Sequence, residues 1–449
     1  MRSAPPDKSN LQAYANRLAS LELPGSPFQR VTTLLDGIEP GLAEIDLGVG
    51  GPQHQMPAFV EPVLMQKTAE FRHYPPSKGT PEFLQSVRKW LDHRYALDGL
   101  VGEDAILPLN GSREGLFFAL FEAKRRKPVE DPLVFSPNPF YQTYAAAAKA
   151  AGCRFLSPPD SAAEGMAAES LQGLPDFAAL APELLADTVA VYVASPTNPQ
   201  GNSATLGYWQ NLIELADRHD FMIFADECYS EIYRDSPPTG ILEAARSAGS
   251  TDHVISFNSL SKRSNLPGLR VGFMAGDATF LTELAKFRNM AAPQVPMPLQ
   301  AVAAAAFADE THVAENRRLY NAKFDMAQAA LAPLLPLRIP DGGFFLWADC
   351  SAFMPGEAMA LHLWKEAGLR VVPGAYLTAD ETDENGIAQN RSDGFIRIAL
   401  VHDLATTSEA INRLRHSLEQ LPHISTRKSE QTSSGISRPQ NEQTGKFHA

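Results

Sequence analysis

Between about residues 100 and 280, short apolar runs alternate with stretches of helical period. The runs fall at 105–109, 133–135, 188–194, 221–225, 253–257 and 269–274, each bounded by Pro, Gly, Asn, Asp or Ser. A strand covered on both faces reads as a continuous apolar run rather than an alternating one. Helical patterns at 113–127 and 206–219 lie between the runs. This alternation predicts an α/β fold, with a mainly parallel sheet flanked by helices. The flanks differ. Residues 1 to about 45 read as helix and loop, and 296–424 mix helices with short strands near 343–347 and 395–400. The expected organisation is a large domain over 46–295 and a smaller α+β domain built from 1–45 and 296–424. Residues 425–449 are rich in Ser, Thr, Gln and Asn and read as a disordered polar tail.

Charge narrows the partners. The chain of 449 residues carries 39 basic against 52 acidic side chains, a net charge of -13. The tail is slightly basic, so the acidic excess belongs to the residues before it. No basic stripe suggests nucleic acid, and no cationic amphipathic helix suggests a membrane surface. No run approaches the roughly 18 apolar residues of a membrane span. Three scattered cysteines form no disulfide framework and no C-x-x-C pair. With no apolar leader at the N-terminus, they predict a cytoplasmic protein. The 11 histidines lack metal-ligand spacing, so no metal site is expected. Gly48-Val49-Gly50-Gly51 resembles the start of a dinucleotide fingerprint but lacks its last glycine and a following helix.

In open α/β sheets, ligands gather at the carboxyl ends of the strands. Polar residues cluster there: Asn110-Gly111-Ser112-Arg113, Ser136 to Tyr141, Ser195 to Asn202, Asp226-Glu227-Cys228-Tyr229, and Ser259-Leu260-Ser261-Lys262 followed by Arg270. Taken singly, each has an ordinary explanation. Lys262 would be a surface lysine, Asp226 a helix cap, Asn198-Pro199 a turn and Arg397 a structural ion pair. Together they meet the demands of a pyridoxal-phosphate site. Lys262 supplies an amine, its proton affinity lowered by the nearby cations Arg263 and Arg270. Ser112, Ser259, Ser261, Arg270 and the helix amides beside Gly111 suit a phosphate. Asp226 suits the pyridine nitrogen. Asn198 and Tyr229 suit the ring oxygen, and Tyr141, or Phe140 beside it, suits the ring face.

The motifs Asn-Pro-x-Gly at 198–201, Asp-Glu-x-Tyr at 226–229, and Ser-x-Ser-Lys with Gly-x-Arg at 259–270 resemble the fold-type-I, class I/II aminotransferases. The resemblance runs from Leu47 to Ile398. It implies Lys262 as the Schiff-base lysine and proton shuttle, Asp226 on the pyridine nitrogen, Asn198 and Tyr229 on the ring oxygen, and Tyr141 stacked on the ring. It implies Ser112, Arg113, Ser259, Ser261 and Arg270 around the phosphate, with Tyr74 reaching the phosphate of a partner subunit. Arg397 would grip the substrate α-carboxylate beside Gly50. A homodimer with interfacial active sites is implied, acting on amino acids and 2-oxo acids. The segments 136–142, 227–233 and 261–265 are similar to N-succinyldiaminopimelate aminotransferases, which serve lysine and diaminopimelate biosynthesis. A longer dicarboxylic substrate needs a second cation, for which Lys78, Arg113 and Arg263 are candidates. The alternatives are an aminotransferase for aspartate, alanine or aromatic amino acids, a β-lyase on the same fold, or a non-enzymatic regulator.

Overall fold

A computed structural model describes residues 25–158, 173–382 and 388–422. The polar tail expected at 425–449, and most of the segment 1–45, lie outside the described residues. Strand β1 (Ile45–Asp46) comes first. A seven-stranded sheet follows: β2 (Ile106–Leu109), β3 (Leu133–Phe135), β4 (Arg154–Leu156), β5 (Thr188–Ala194), β6 (Met222–Asp226), β7 (Val254–Ser259) and β8 (Gly272–Gly276), in the order β2-β8-β7-β6-β5-β3-β4. Only β8 runs against its neighbours. Five of the expected runs match strands to within a residue or two. β4 is not legible as a run, because Arg154 interrupts its apolar pattern. The run at 269–274 starts late, because Pro267–Leu269 is a 3₁₀ turn and the strand begins at Gly272.

Both faces of the sheet are covered, which explains the unbroken apolar runs. Val191, Val193, Ile223 and Ala225 pack on one side with Trp209. The residues between them, Ala190, Tyr192 and Phe224, pack on the other side with Leu116, Leu120 and Phe280. This is the two-residue alternation of a strand with an apolar partner on each face. Each such side chain contributes about 1.5–3 kcal/mol by leaving water. Helix boundaries carry their own signals. Thr80, Thr205, Asp277 and Asp403 each accept a backbone N–H three residues on, and Pro81 holds the first helical position of Pro81–Tyr95.

A second core lies beyond residue 310. β9 (Phe345–Asp349), β10 (Leu369–Arg370), β11 (Val372–Pro373), the pair β12 (Glu381–Thr382) and β13 (Ala388–Gln389), and β14 (Phe395–Ala399) belong to this part of the chain. The sheet β11-β14-β9 packs Leu346, Ile396 and Ile398 against Phe324, Met359 and Leu414. β1 joins β10 in parallel, so a residue pair from before the large sheet is built into this part. The helix Met297–Ala308 follows the expected boundary at 296, yet its Val302 and Phe307 share a core with Phe83 and Trp90 under the large sheet. The next helix, Thr311–Leu331, packs Phe324, Ala327 and Leu331 into the second core.

Candidate active site

A cavity of about 420 Å³ opens at the carboxyl edge of the large sheet. Every residue predicted for the site lines it except Tyr74, Lys78 and Arg263. Because β8 is antiparallel, its amino end reaches the same edge as the carboxyl ends of its neighbours, and this brings Arg270 into the site.

One end of the cavity is an anion cradle. Gly111, at φ 79°, precedes the helix Ser112–Arg126, whose first amides point into the space. A Cβ at 111 would fall inside the Arg270 guanidinium. Arg270 itself adopts φ 57° and donates to the carbonyls of Pro267 (2.9 Å) and Asn110 (3.3 Å). It has no carboxylate partner among the described residues. The Ser259 hydroxyl donates to that of Ser261 at 3.0 Å. Two hydroxyls, helix amides and an unneutralised guanidinium suit a phosphate.

Asp226 ends β6, buried and facing the cavity. It accepts from the Tyr144 hydroxyl at 2.7 Å and from the Cys228 amide at 3.3 Å. Burial raises its pKa above the usual carboxylate value, against the opposing pull of Cys228, Tyr144 and Lys262. A cation opposite it would restore the ionised form. Glu227, the next residue, turns the other way. It accepts from the Ile241 amide at 2.7 Å and from Ser256, beneath the sheet edge. Burial pushes its pKa up to about 7. Alternation at the strand end decides which of the two adjacent carboxylates faces the ligand.

Lys262 lies in a single helical turn, Leu260–Arg263, after β7. Its Nζ donates to the Gly50 carbonyl and lies 5.2 Å from the Phe344 ring centroid and 5.9 Å from that of Tyr229. Its pKa is lowered to about 8, mainly by burial; Arg397 and Arg270 push the same way, and Cys228 and Asp226 oppose them. The expected role of Arg263 is not upheld. Its side chain points away from the cavity, paired with Glu310 and donating to the Ala306 carbonyl at 2.7 Å, with Trp90 and Phe307 against its plane. A buried guanidinium needs a partner, and Glu310 lies on the far side. That placement also removes Arg263 from the candidates for a second substrate carboxylate.

Arg397 comes from β14. It is buried, donates to the Asn198 side-chain oxygen (3.3 Å) and the Gly48 carbonyl (2.8 Å), and lies 4.3 Å over the Phe345 ring. Its Nε has no partner, and no carboxylate pairs with it among the described residues. Burial lowers its pKa to about 10. A Cβ at Gly50 would come within 2.7 Å of Phe345 Cζ, so a side chain there would force that ring to move. Of the two aromatic candidates for the ring face, Phe140 is buried against Phe155. Tyr141 stays partly open and accepts from Arg113 Nε at 2.7 Å. Lys78 is exposed, and Tyr74 is 98% exposed.

Three lining residues carry no clear mark in the sequence. Tyr144 holds Asp226 and stacks on Tyr192 at 4.4 Å, but within Gln142–Ala151 it looks like core filler in an alanine-rich helix. Phe345 supports Arg397, and the glycine pair Gly342-Gly343 ahead of it was the available signal. Phe28 sits at the cavity mouth, 6.0 Å from the Arg397 guanidinium, and nothing in its sequence surroundings marks it.

A half-buried lysine, a buried carboxylate and an anion cradle on one sheet edge are what a pyridoxal-phosphate enzyme needs. The sequence pattern described as "Aminotransferase class I and II" matches residues 43–414. The chain therefore belongs to the class I and II aminotransferases, which transfer nitrogenous groups with this cofactor. An LL-diaminopimelate aminotransferase of Maridesulfovibrio salexigens is 29% identical over 407 residues, 89% of this chain and 98% of the relative. The crystal structure of an aminotransferase from Neisseria meningitidis is similar with a TM-score of 0.79 and 36% identity, covering 88% of this chain and 97% of that one. A probable N-succinyldiaminopimelate aminotransferase of Thermus thermophilus shares the fold, with a TM-score of 0.72, 24% identity and coverage of 87% of this chain and 100% of that one.

Proposed function

We propose that the chain catalyses transamination between N-succinyl-LL-2,6-diaminopimelate and 2-oxoglutarate, in lysine and diaminopimelate biosynthesis. The observation that carries a carboxylic amino acid is Arg397, a buried cation with an unpartnered Nε and no internal counter-ion among the described residues. A buried charge without a partner costs several kcal/mol, which an incoming α-carboxylate offsets. A second cation supports a longer dicarboxylic substrate. The Arg113 guanidinium is open at the cavity wall and bonded to the Tyr141 hydroxyl. The name of the Maridesulfovibrio relative supports a diaminopimelate-type substrate. That name also favours a second reading, with unsuccinylated LL-diaminopimelate as the donor.

When bound, pyridoxal phosphate supplies a conjugated ring that accepts the electron pair released at the substrate α-carbon. Lys262 is the residue proposed to carry it, and Ser112, Ser259, Ser261 and Arg270 would hold the phosphate, which leaves Arg113 for the substrate. Asp226 would set a carboxylate against the ring nitrogen, Asn198 and Tyr229 would donate to the ring oxygen, and Tyr141 would cover the ring face. Arg397 and Asn198 orient the amino acid, and Lys262 Nζ, with a pKa near 8, takes its α-proton. The 98% exposure of Tyr74, with Phe71, Met65 and Met290 also bare, supports a homodimer in which Tyr74 reaches the phosphate of the other subunit. A large domain from about residue 46, and a small domain built from both ends of the chain, are supported by the packing of Val31, Leu35, Ile45 and Leu47 with residues after 320, although the helix Met297–Ala308 packs with the large domain and moves the second boundary from 296 to about 309. The three free cysteines support a cytoplasmic location.

Glutamate formation from 2-oxoglutarate should be followed with N-succinyl-LL-diaminopimelate, LL-diaminopimelate, aspartate, alanine and phenylalanine as donors. The succinylated donor should give the highest kcat/KM. A higher value with any of the others would reject the proposal, and pyruvate release from a thioether would indicate a β-lyase instead.

A further inference from the structure

Behind Lys262, outside the cavity, lies a polar chain of buried Lys323 and Asn316 and half-buried His54 that the mechanism above does not use. Lys323, 0% exposed, donates to the Leu400 carbonyl at 2.9 Å and to His54 Nε2 at 2.6 Å. His54 Nε2 therefore carries the lone pair, and Nδ1–H donates to the Asn316 side-chain oxygen. The Asn316 amide nitrogen in turn donates to the carbonyls of Lys262 (3.2 Å) and Arg263 (3.3 Å). Those carbonyls close a four-residue helix, where the last C=O groups lack partners of their own. A helix that short does not hold its own position.

The same loop reaches the other end of Lys262. His54 lies four residues after Gly50, whose carbonyl accepts from Lys262 Nζ. An aromatic path runs in parallel. The His54 ring is 4.6 Å from that of Tyr320, Tyr320 stacks on Phe344 at 5.3 Å, and Phe344 lies 5.2 Å from Nζ. No carboxylate bonds to Lys323 among the described residues; Asp403 acts on it, and Asp403 and Glu315 on His54, only through their fields. Burial lowers Lys323 to about 7 and His54 to about 4. An amine buried without a carboxylate is a poor source of stability, and an apolar residue of similar volume usually replaces such a group at no loss. The chain's value lies in its directionality.

We propose that His54 is a positioning residue for Lys262, held in register by Lys323 and Asn316, so that the loop 48–54 fixes the lysine at both its backbone and its amine. The inference rests on Lys262 as the cofactor-bearing lysine. Wild-type protein reduced with borohydride in the presence of pyridoxal phosphate must first show the cofactor attached at Lys262. If it does not, the functional assignment fails before His54 is tested.

Given that attachment, His54→Ala, His54→Gln and Lys323→Met are compared. The first readout is the kcat and KM split. The second, independent of loaded activity, is the pH dependence of acetic anhydride labelling at Lys262 in cofactor-free protein, read by mass spectrometry. His54→Ala and Lys323→Met should each lower kcat roughly 10- to 100-fold, with KM for the amino donor changed less than about threefold. They should move the labelling midpoint by about half a pH unit or more, the scale of one lost hydrogen bond. His54→Gln, which keeps a donor toward Asn316 and an acceptor toward Lys323, should recover most of both effects. Wild-type kcat and labelling in Lys323→Met and His54→Ala would overturn the proposal. So would a His54→Gln variant as impaired as His54→Ala with an equally lowered melting temperature, because that outcome describes plain packing.

Discussion

The buried hydroxyl of Tyr144 offers the sharpest test of the site. It donates to Asp226 at 2.7 Å, closer than the Cys228 amide at 3.3 Å, and the Cys228 thiol also bonds this carboxylate. Tyr144→Phe removes one oxygen and nothing else, because the ring stays stacked on Tyr192 and leaves no cavity. A hydrogen bond to a charged group contributes about 1.5–3 kcal/mol, or roughly 10- to 150-fold at 1.4 kcal/mol per decade. The sign follows from which form the bond favours. Tyr144 stabilises the carboxylate and works against the burial that raises the Asp226 pKa. Its removal raises that pKa further, so a larger share of Asp226 is protonated at any given pH. Activity that needs the carboxylate is lost as pH falls through its pKa, so the acid limb of kcat against pH should move upward. The assay is a pH–rate profile of both proteins, with bound cofactor quantified by its visible absorbance. An unchanged acid limb together with unchanged cofactor retention would refute the reasoning.

Other perturbations follow from the same geometry. Arg397→Lys keeps the charge but loses the paired N–H groups, so kcat/KM for the amino donor should fall about 30-fold or more, chiefly through KM; initial rates over a donor series check this. Gly111→Ala forces a side chain into φ 79° and into the Arg270 guanidinium. Pyridoxal phosphate should then bind at least about tenfold more weakly, at a strain of about 1–2 kcal/mol, as measured by absorbance titration of cofactor-free protein. Burial lowers Lys262 to about pKa 8, so the ammonium is disfavoured in the fold, and its cost is released as pH rises from about 8 toward the unfolded value of 10.5. Uptake of pyridoxal phosphate by cofactor-free protein should accelerate up to about pH 8 and level off above it; a rate still rising at about pH 10, as for an ordinary exposed lysine, would contradict a buried amine.

Much of this site is legible in the sequence because its ligands follow strands whose apolar runs are unmistakable. Lys262, Asp226, Asn198 and Ser112 need only the rule that chemistry sits after the strand. Direction around those ends is not legible. Arg263 and Arg270 look equivalent as cations near Lys262, yet one is drawn inward by Glu310 and Trp90, and the other reaches the cradle because β8 runs backwards. Both facts depend on contacts distant in the chain or on the sense of a strand, which composition does not encode. Tyr144 is hidden for a related reason. A tyrosine one helical turn past Tyr141 is ordinary core until β6 brings Asp226 within reach of its hydroxyl. The helix Met297–Ala308 is ambiguous because its sequence is apolar all round, and such a helix does not reveal which of two cores it joins.

The loop 48–54 then explains why two distant groups are correctly spaced. Gly48 accepts from Arg397, Gly50 accepts from Lys262, Gln53 donates to the Val401 carbonyl at 3.1 Å, and His54 reaches the Lys262 turn through Asn316. Arg397 lies on the small sheet and Lys262 in the helical turn that follows a strand of the large one, and a relative shift of about 1 Å between reacting groups is enough to cost two orders of magnitude in rate. A loop that bonds to both by its own backbone sets their separation directly. Its freedom to move is limited by Phe345, which packs on Arg397 and leaves no room for a side chain at Gly50. On the roles proposed for Arg397 and Lys262, substrate grip, proton transfer and loop position would form one mechanical unit, and a substitution at Gly50, His54 or Phe345 should disturb all three.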